Sequence, residues 1–451
     1  MAHQVLHSTH FSKHARALAS NPVMRKIVGL TGLTAAGQLM FVLAMPLLSR
    51  LFTPADFGLF TVYLSIVNIF GPIIGLKFES GLYAANTHEQ ARSMLGLAIA
   101  TMSLVALSIA SFFPLVDGHL SGTFGAAIAK IGFLLPIGIF LSGMWSTTSA
   151  WAIKSGAIST LSIARFLQPA LMTALQLAAG LAHLPGITMV IAHLVSHATY
   201  GVFILARSLN KDDWKHLFSL SIPLLLKHAR EQIKFPLFTM PAQVSMLMGS
   251  NLPPILIGLI FGMDKAGYCG IAYRLVTAPI SIVSLPLGHV FTSEVSRDRS
   301  LSHLQRLGTR IFIASLFIVV VPMLIGGIIA PHVAGHLLGS RWAATGEVIF
   351  AFSIFGAVQA ITTPFTEITS IYRLQVLRFF VEISSAMFVF IPLGLSALDG
   401  WTFKSTIWIM SISGAFGLAI GFAFVCTVLR RRLLKIDLAR QMAVATAATP
   451  L

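Results

Sequence analysis

The sequence predicts an all-α integral membrane protein of about twelve transmembrane helices, and three observations carry that prediction. Of 451 residues, 56% are hydrophobic and 10% charged, against about 45–50% and about 25% in soluble domains. Apolar segments of about 20 residues, the length that crosses a bilayer as a helix, recur along the whole chain. Basic residues collect in alternate connections between those segments, as they do in the cytoplasmic loops of polytopic proteins.

The segments run approximately 27–49, 58–76, 93–113, 128–149, 161–181, 186–206, 237–260, 268–292, 311–330, 346–369, 376–397 and 405–429. The first has no small-residue cleavage site behind it, so it is expected to be kept as a helix and not removed as a signal peptide. With the N-terminus in the cytoplasm, 25 of the 31 Lys and Arg fall on the cytoplasmic side, and Arg50, Lys130, Lys265, Arg274, Arg341 and Lys404 on the other. Both termini are therefore expected inside. A net charge of +16 would suggest nucleic acid in a soluble protein. Here it is spread over every second loop, gathers into no patch, and excludes a nucleic-acid partner. Cys269 and Cys426 are too few and too distant in sequence for a disulfide framework or a metal cluster.

The longest polar connection, about Arg207 to Phe235, separates two sets of six helices. The expected organisation is a cytoplasmic segment 1–26, an N-lobe 27–206, a cytoplasmic linker 207–236, a C-lobe 237–429 and a cytoplasmic tail 430–451. A weak repeat supports the division: Phe52 and Gly58 recur as Phe261 and Gly267, 209 residues later, and Pro72 recurs as Pro279 at a step of 207. Parallel repeats with an even number of helices are a transporter architecture. In RLFTPADFG (50–58), Thr53 is expected to cap a short turn and Pro54 to set its first dihedral, with Asp56 and Gly58 making a tight reversal before the second helix. Proline and glycine inside the segments, as at Gly71-Pro72, Pro136, Pro169, Pro253-Pro254, Pro279 and Pro286, are expected to kink them.

Several runs resemble one family. RLFTPADFGLFTVYLSIV (50–67), then GLKFESGLY (75–83) and a polar HEQA loop before the third helix, are similar to the opening of bacterial polysaccharide flippases. Those proteins read R-L-[YF]-[ST]-P-x-D-F-G and then L-R-Y-E at the matching places. Lys77, Phe78 and Glu79 fall on the Arg-Tyr-Glu triplet. IFGMDKAGYCGIAYRLVTAPIS (260–281) and LLGSRWAATGEVI (337–349) resemble two further loops of the family. The resemblance, to the O-antigen and exopolysaccharide flippases of the multidrug/oligosaccharidyl-lipid/polysaccharide exporter superfamily, extends from about residue 27 to 430. It implies two six-helix lobes around a central cavity in the bacterial cytoplasmic membrane. It also implies passage of an undecaprenyl-diphosphate-linked oligosaccharide to the periplasmic leaflet, with membrane lipids and other polysaccharide-assembly membrane proteins as partners. Lys77 departs from the usual Arg and loses its planar bidentate fork.

A diphosphate and a sugar chain must cross hydrocarbon, and cations lining a wet cavity lower that barrier. An Arg or Lys at a helix centre costs about 2.5–3.5 kcal/mol to insert, so embedded cations are the first candidates. Lys77, Arg165 and Arg274 are expected to receive the diphosphate, whereas Lys130 and Arg378 are weaker candidates. The plain alternative for each is snorkelling to the interface from near a helix end. Embedded acids are candidate proton or Na⁺ coupling sites: Glu79, Glu367 beside Pro364, and Glu382, which stands one turn from Arg378 and suits an internal ion pair. Glu79, two residues from Lys77, would face elsewhere on a helix and is expected to have a separate partner. His193 and His197, one turn apart in the sixth helix, have no Cys, Asp or Glu near them to complete a metal site and suit a proton relay or a polar lining. Neither a cofactor nor a catalytic group is expected, since no nucleophile elbow, metal motif or nucleotide-phosphate loop occurs. The competing readings are a drug or cation exporter of the same superfamily, which would carry more acids than bases in its cavity, and a membrane-embedded polysaccharide polymerase or ligase, which would carry a large outer loop.

Overall fold

The computed structural model of the chain describes residues 22–447, apart from 118–121, 220–221, 298–299, 367 and 373. The described chain is all-helical, 91% helix without a strand. Its helices are α1 (Pro22–Leu51), α2 (Pro54–Phe70), α3 (His88–Asp117), α4 (Gly122–Ile131), α5 (Leu134–Lys154), α6 (Ile158–Leu181), α7 (Thr188–Ser208), α8 (Lys211–Ser219) and α9 (Ile222–Glu231). They continue as α10 (Met240–Phe261), α11 (Met263–Pro279), α12 (Leu285–Arg297), α13 (Leu301–Ser315), α14 (Val321–Leu338), α15 (Thr345–Thr366), α16 (Gln375–Asp399) and α17 (Phe403–Ala447). Eleven helical stretches are long and apolar enough to cross a membrane, and a bent pair, Phe124–Ile131 with Leu134–Lys154, makes a twelfth. Each of the twelve segments expected from hydropathy overlaps one of these. The fourth differs in kind: Gly132 and Phe133 break it, and its two parts meet at 62°.

Several stretches wind more loosely beside prolines. Turns of π-helix cover Phe235–Thr239, Ile280–Ser284 and Leu316–Val320, next to Pro236, Pro279 and Pro286, and Pro322. A proline removes the N–H that would close the turn and pushes on the carbonyl four residues back, and one wider turn relieves both. The spans Met263–Ser296 and Ser302–Leu338 thus run continuously through their bulges for 34 and 37 residues.

The described chain divides into two compact units. One comprises the described parts of Met1–Ala44, Val67–Ser121 and Ile128–Val244; the other comprises Met45–Ile66, Gly122–Ala127 and those of Ser245–Leu451. In the first unit, Ala152, Leu161, Ala164, Tyr200 and Ile204 pack α5, α6 and α7 together. The linker is part of this unit. Asn210 and Asp213 cap α8 reciprocally, each backbone N–H donating to the other's side chain (2.9 and 2.8 Å), a capping box. The same Asp213, buried, takes an ion pair from Arg92 (2.5 Å) and shares a hydrogen bond with His88 Nε2 (2.9 Å) at the start of α3.

In the second unit, Ile257, Cys269, Ala272, Ala351, Leu393 and Ile407 form one core, and Phe291, Val295, Ile311, Ile368 and Leu429 another. The start of α2 differs from expectation. Thr53 and Asp56 form a capping box: Asp56 N–H donates to Thr53 Oγ1 (3.2 Å), while Thr53 N–H donates to Asp56 Oδ2 (2.9 Å). The helix therefore begins at Pro54, and Asp56 and Gly58 lie inside it, not in a reversal. Gly58 is needed for closeness. A Cβ there would overlap the Met263 carbonyl, and a Cβ on Gly267 would overlap the Pro54 carbonyl. Pro54 and Met263 stand 209 residues apart, the step that relates Gly58 to Gly267. The two contacts are therefore reciprocal: each helix start rests its glycine on the first residue of the other. One turn further on, Gly270 meets Thr61, again 209 residues away. Trp342, fully buried, donates from Nε1 to the Ser49 carbonyl (2.6 Å) and packs edge-on to Phe57, and Ser49 Oγ donates to the Leu338 carbonyl (2.9 Å).

Two predictions follow from these contacts. Overpacking of a close-packed site costs about 1–3 kcal/mol, so Gly58→Ala and Gly267→Ala should each lower the thermal unfolding midpoint in detergent. Gly326→Ala, in α14 with open space around it, should leave that midpoint unchanged or raise it. For the Asp213 carboxyl, burial raises the pKa, but the Asn210 N–H, His88 and Arg92 outweigh it and hold the group below its ordinary value. Its contribution is then complete above the unfolded-state value of about 3.9 and is lost as pH falls through the lowered folded value. Asp213→Asn should release α8 at neutral pH. Losing charge-assisted bonds of about 1.5–3 kcal/mol should raise the rate of proteolysis in the 207–222 stretch by about 10- to 100-fold.

Candidate functional site

The polar residues of the first unit gather where α2 ends. Gly71-Pro72 closes the helix into a 3₁₀ turn, Gly71–Ile73, and Gly71 and Gly143 let that turn lie directly on α5, where a Cβ on Gly71 would overlap Ser142. Beyond it Leu76 (φ 49°) and Lys77 (φ 62°) are both left-handed, and a second 3₁₀ turn covers Phe78–Ser80. Left-handed backbone is unfavourable for residues with a Cβ, and two in succession reverse the chain. That reversal overturns the expectation of separate partners for Lys77 and Glu79, which assumed a helix. Their side chains meet as an ion pair at 2.7 Å, 14% and 6% exposed, and Lys77 Nζ also reaches the Pro72 carbonyl at 3.5 Å.

Beside this turn stands a second group. The Arg165 guanidinium of α6 lies over the Trp145 ring of α5 at 5.5 Å, and Trp145 is stacked on Tyr200 of α7 at 5.6 Å and 25°. Tyr200 is anchored by Ser149 Oγ at 2.6 Å. Arg165 Nε is buried without a hydrogen-bond partner among the described residues. The exposed Tyr83 joins the two groups electrically. Burial raises its phenol pKa, Glu79 raises it further, and Arg165 acts in the opposite sense. The unit thus offers a matched ion pair and a guanidinium with hydrogen-bonding capacity to spare, bordered by aromatic faces. Cations of this type bind phosphate oxygens, and aromatic faces suit the apolar faces of sugars.

The remaining candidates are placed as follows. His193 and His197 stack with ring centres 3.9 Å apart. His197 Nδ1 faces the His193 carbonyl at 3.2 Å and Gln168 Nε2 at 3.3 Å, so this pair is tied into a local network of α6 and α7. Arg274 belongs to the second unit, on α11, with its guanidinium 5.0 Å over the Phe60 ring. Arg378 and Glu382 form the expected ion pair at 2.7 Å. Lys130 is exposed at the end of α4. Glu367 lies outside the described residues. Trp145, Tyr200 and Tyr83 were not singled out by the sequence reading. Trp145 alone has a local signal, WSTTSAW (145–151), two tryptophans around a hydroxyl run in an otherwise apolar helix.

Eleven or twelve segments long and apolar enough to span a membrane, in two compact all-helical units among the described residues, define a polytopic helical membrane protein. The comparisons agree on that class. The structure is similar to the lipid II flippase MurJ in an inward closed conformation, with a TM-score of 0.70, 12% identity and 93% of each chain covered. It is also similar to a multidrug resistance MATE family transporter of the MOP superfamily in an inward-facing conformation, with a TM-score of 0.68, 15% identity, and 90% of this chain and 95% of that one covered. At such identities the likeness is one of fold. The family model described as polysaccharide biosynthesis protein matches residues 47–347, and the chain belongs to that family. The teichuronic acid biosynthesis protein TuaB of Bacillus subtilis (strain 168) is 22% identical over 140 residues, 31% of this chain and 29% of that protein. The chain thus matches under a third of that relative's length.

A double-substitution cycle tests the buried pair. Removing one partner of a buried ion pair costs about 3–5 kcal/mol, while replacing both with uncharged groups of similar size is often neutral. Glu79→Gln and Lys77→Met should each lower the unfolding midpoint, and the double variant should recover most of the loss. Equal and additive losses would show that the two side chains act independently.

Proposed function

We propose that the protein is a flippase for undecaprenyl-diphosphate-linked oligosaccharide, carrying the unit from the cytoplasmic to the periplasmic leaflet of the bacterial cytoplasmic membrane by alternating access. The observation that carries this reading is membership of a polysaccharide biosynthesis family over residues 47–347 on a transporter fold. The lobes are 27–206 and 237–429, joined by the linker 207–236, with both termini cytoplasmic. The polyprenyl chain stays in lipid, so the protein has to shelter only the diphosphate and the sugars.

In this reading Arg165 meets the diphosphate with its spare donor, and Trp145 and Tyr83 offer faces to the first sugars. Lys77 is held by Glu79 at rest, so the ammonium becomes available when the carboxylate takes up a proton. Anion binding and proton uptake are then coupled at one turn of the chain. Arg274 is a third diphosphate contact, and Glu367, Glu382, His193 and His197 are further candidates for proton or Na⁺ transfer. The other membrane proteins of polysaccharide assembly are its partners. An exporter of cationic drugs needs embedded acids in excess, whereas the first unit's cluster contributes Lys77 and Arg165 against Glu79.

The test is to delete the gene and follow the lipid-linked unit. Loss of surface polysaccharide with the linked unit retained on the cytoplasmic leaflet is the expected outcome; unchanged polysaccharide with altered drug sensitivity would overturn the proposal. Complementation by Arg165→Ala, Arg274→Ala or Lys77→Ala at normal expression should fall at least tenfold. Full complementation by all three would remove the diphosphate site from the proposal.

A further inference from the structure

The helix α9 has no part in the site above, and it is the clearest amphipathic surface in the linker. At 100° per residue, Leu226 and Ala229 share one face of α9, and Ile233 stands in the turn that follows it. Leu226 and Ile233 are 55% and 47% exposed. Lys227 and Arg230 line the next sector of the helix, Lys234 follows just beyond its end, and all three are exposed. The helix packs on α3, and His228, half-buried, holds the exposed Glu231, the one acid of the helix, at 3.1 Å. Lys227, Arg230 and Lys234 have no acidic partner among the described residues. Immediately after them the chain enters the span Phe235–Phe261, so α9 sits where a membrane begins.

An exposed apolar stripe beside a row of cations, next to a spanning segment, matches a helix lying in the lipid interface. The apolar face enters the acyl boundary, and the long cationic side chains reach back to the headgroups. Three cations without acid partners select a negative headgroup over a zwitterionic one, by about 1 kcal/mol for each Lys or Arg near the surface, or about fivefold. We propose that α9 and the turn that follows it form an interfacial segment that binds anionic phospholipid headgroups through Lys227, Arg230 and Lys234. The cap and ion pair at Asp213 tie the other half of the linker to α3, so lipid and protein hold the linker from its two ends.

The test uses the full chain with Cys426→Ser and Leu226→Cys, a fluorophore on the new thiol, reconstituted in phosphatidylcholine vesicles containing phosphatidylglycerol. Brominated phosphatidylglycerol and brominated phosphatidylcholine are compared as quenchers at equal mole fraction. Stronger quenching by the phosphatidylglycerol is expected. The preference should fall about fivefold with Lys234→Gln alone and vanish in the triple variant with Lys227→Gln and Arg230→Gln. Equal quenching of the parent protein by the two lipids overturns the proposal, whether or not the variants fold. So does quenching by aqueous iodide with none by either lipid, which would mean that water or another protein covers this face. A preference that survives the triple change in a folded protein overturns the residue assignment.

Discussion

Hydrocarbon offers nothing to a backbone group that lacks a partner, and the rest of this structure depends on that constraint. It forces the chain into helices, and it removes the hydrophobic drive that holds helices together in water, leaving close packing in its place. The reciprocal contact of Gly58 with Met263 and of Gly267 with Pro54 is that packing at its tightest. A carbonyl of one helix start occupies the space where the other would carry a Cβ. Two interlocked contacts fix both the distance and the register of α2 and α11 in the second unit. Trp342 is buried beside these helix starts, edge-on to Phe57 of α2 and Tyr268 of α11 and bonded to the Ser49 carbonyl.

The same constraint explains which features could be read from the sequence. Hydropathy reports whether a stretch suits lipid, and each of its twelve segments overlaps one of the eleven described helical stretches long and apolar enough to cross a membrane, or the bent pair. It is blind to a break that stays inside the apolar zone, so the bend at Gly132-Phe133 was missed. The start of α2 was misread for a related reason. Asp56 and Gly58 are common turn residues, and only the paired bonds of Thr53 and Asp56 reveal that they cap and pack a helix. The repeat of Gly58 and Gly267 was visible as a spacing, but their contact was not, because mutual packing belongs to the tertiary structure.

The site was legible in its charges and illegible in its geometry. Arg165 and Lys77 stood out because a cation inside an apolar helix is costly. The rule that residues two apart on a helix diverge failed at Lys77 and Glu79, since two left-handed residues replace the helix there. The stack of Arg165, Trp145 and Tyr200 draws one residue from each of three helices, and no local pattern announces such a meeting. Arg378 and Glu382, by contrast, lie one turn apart within a single helix, and their pairing followed from spacing alone.

The identity of residue 77 acquires a meaning from these contacts. An arginine there could grip a carboxylate through two parallel bonds, a rigid arrangement that resists opening. Lysine offers a compact ammonium on a flexible stem, and here it divides its reach between Glu79 at 2.7 Å and the Pro72 carbonyl at 3.5 Å. Both side chains carry about 2 kcal/mol of rotamer entropy, but the preorganised guanidinium loses less of it for each bond formed, so lysine is held less firmly. The strained turn at Leu76 and Lys77 works in the same direction. Left-handed backbone costs about 1–2 kcal/mol per residue, and the buried ion pair is one of the contacts that hold it. Breaking the pair would therefore disturb the backbone at the end of α2 as well as the ammonium.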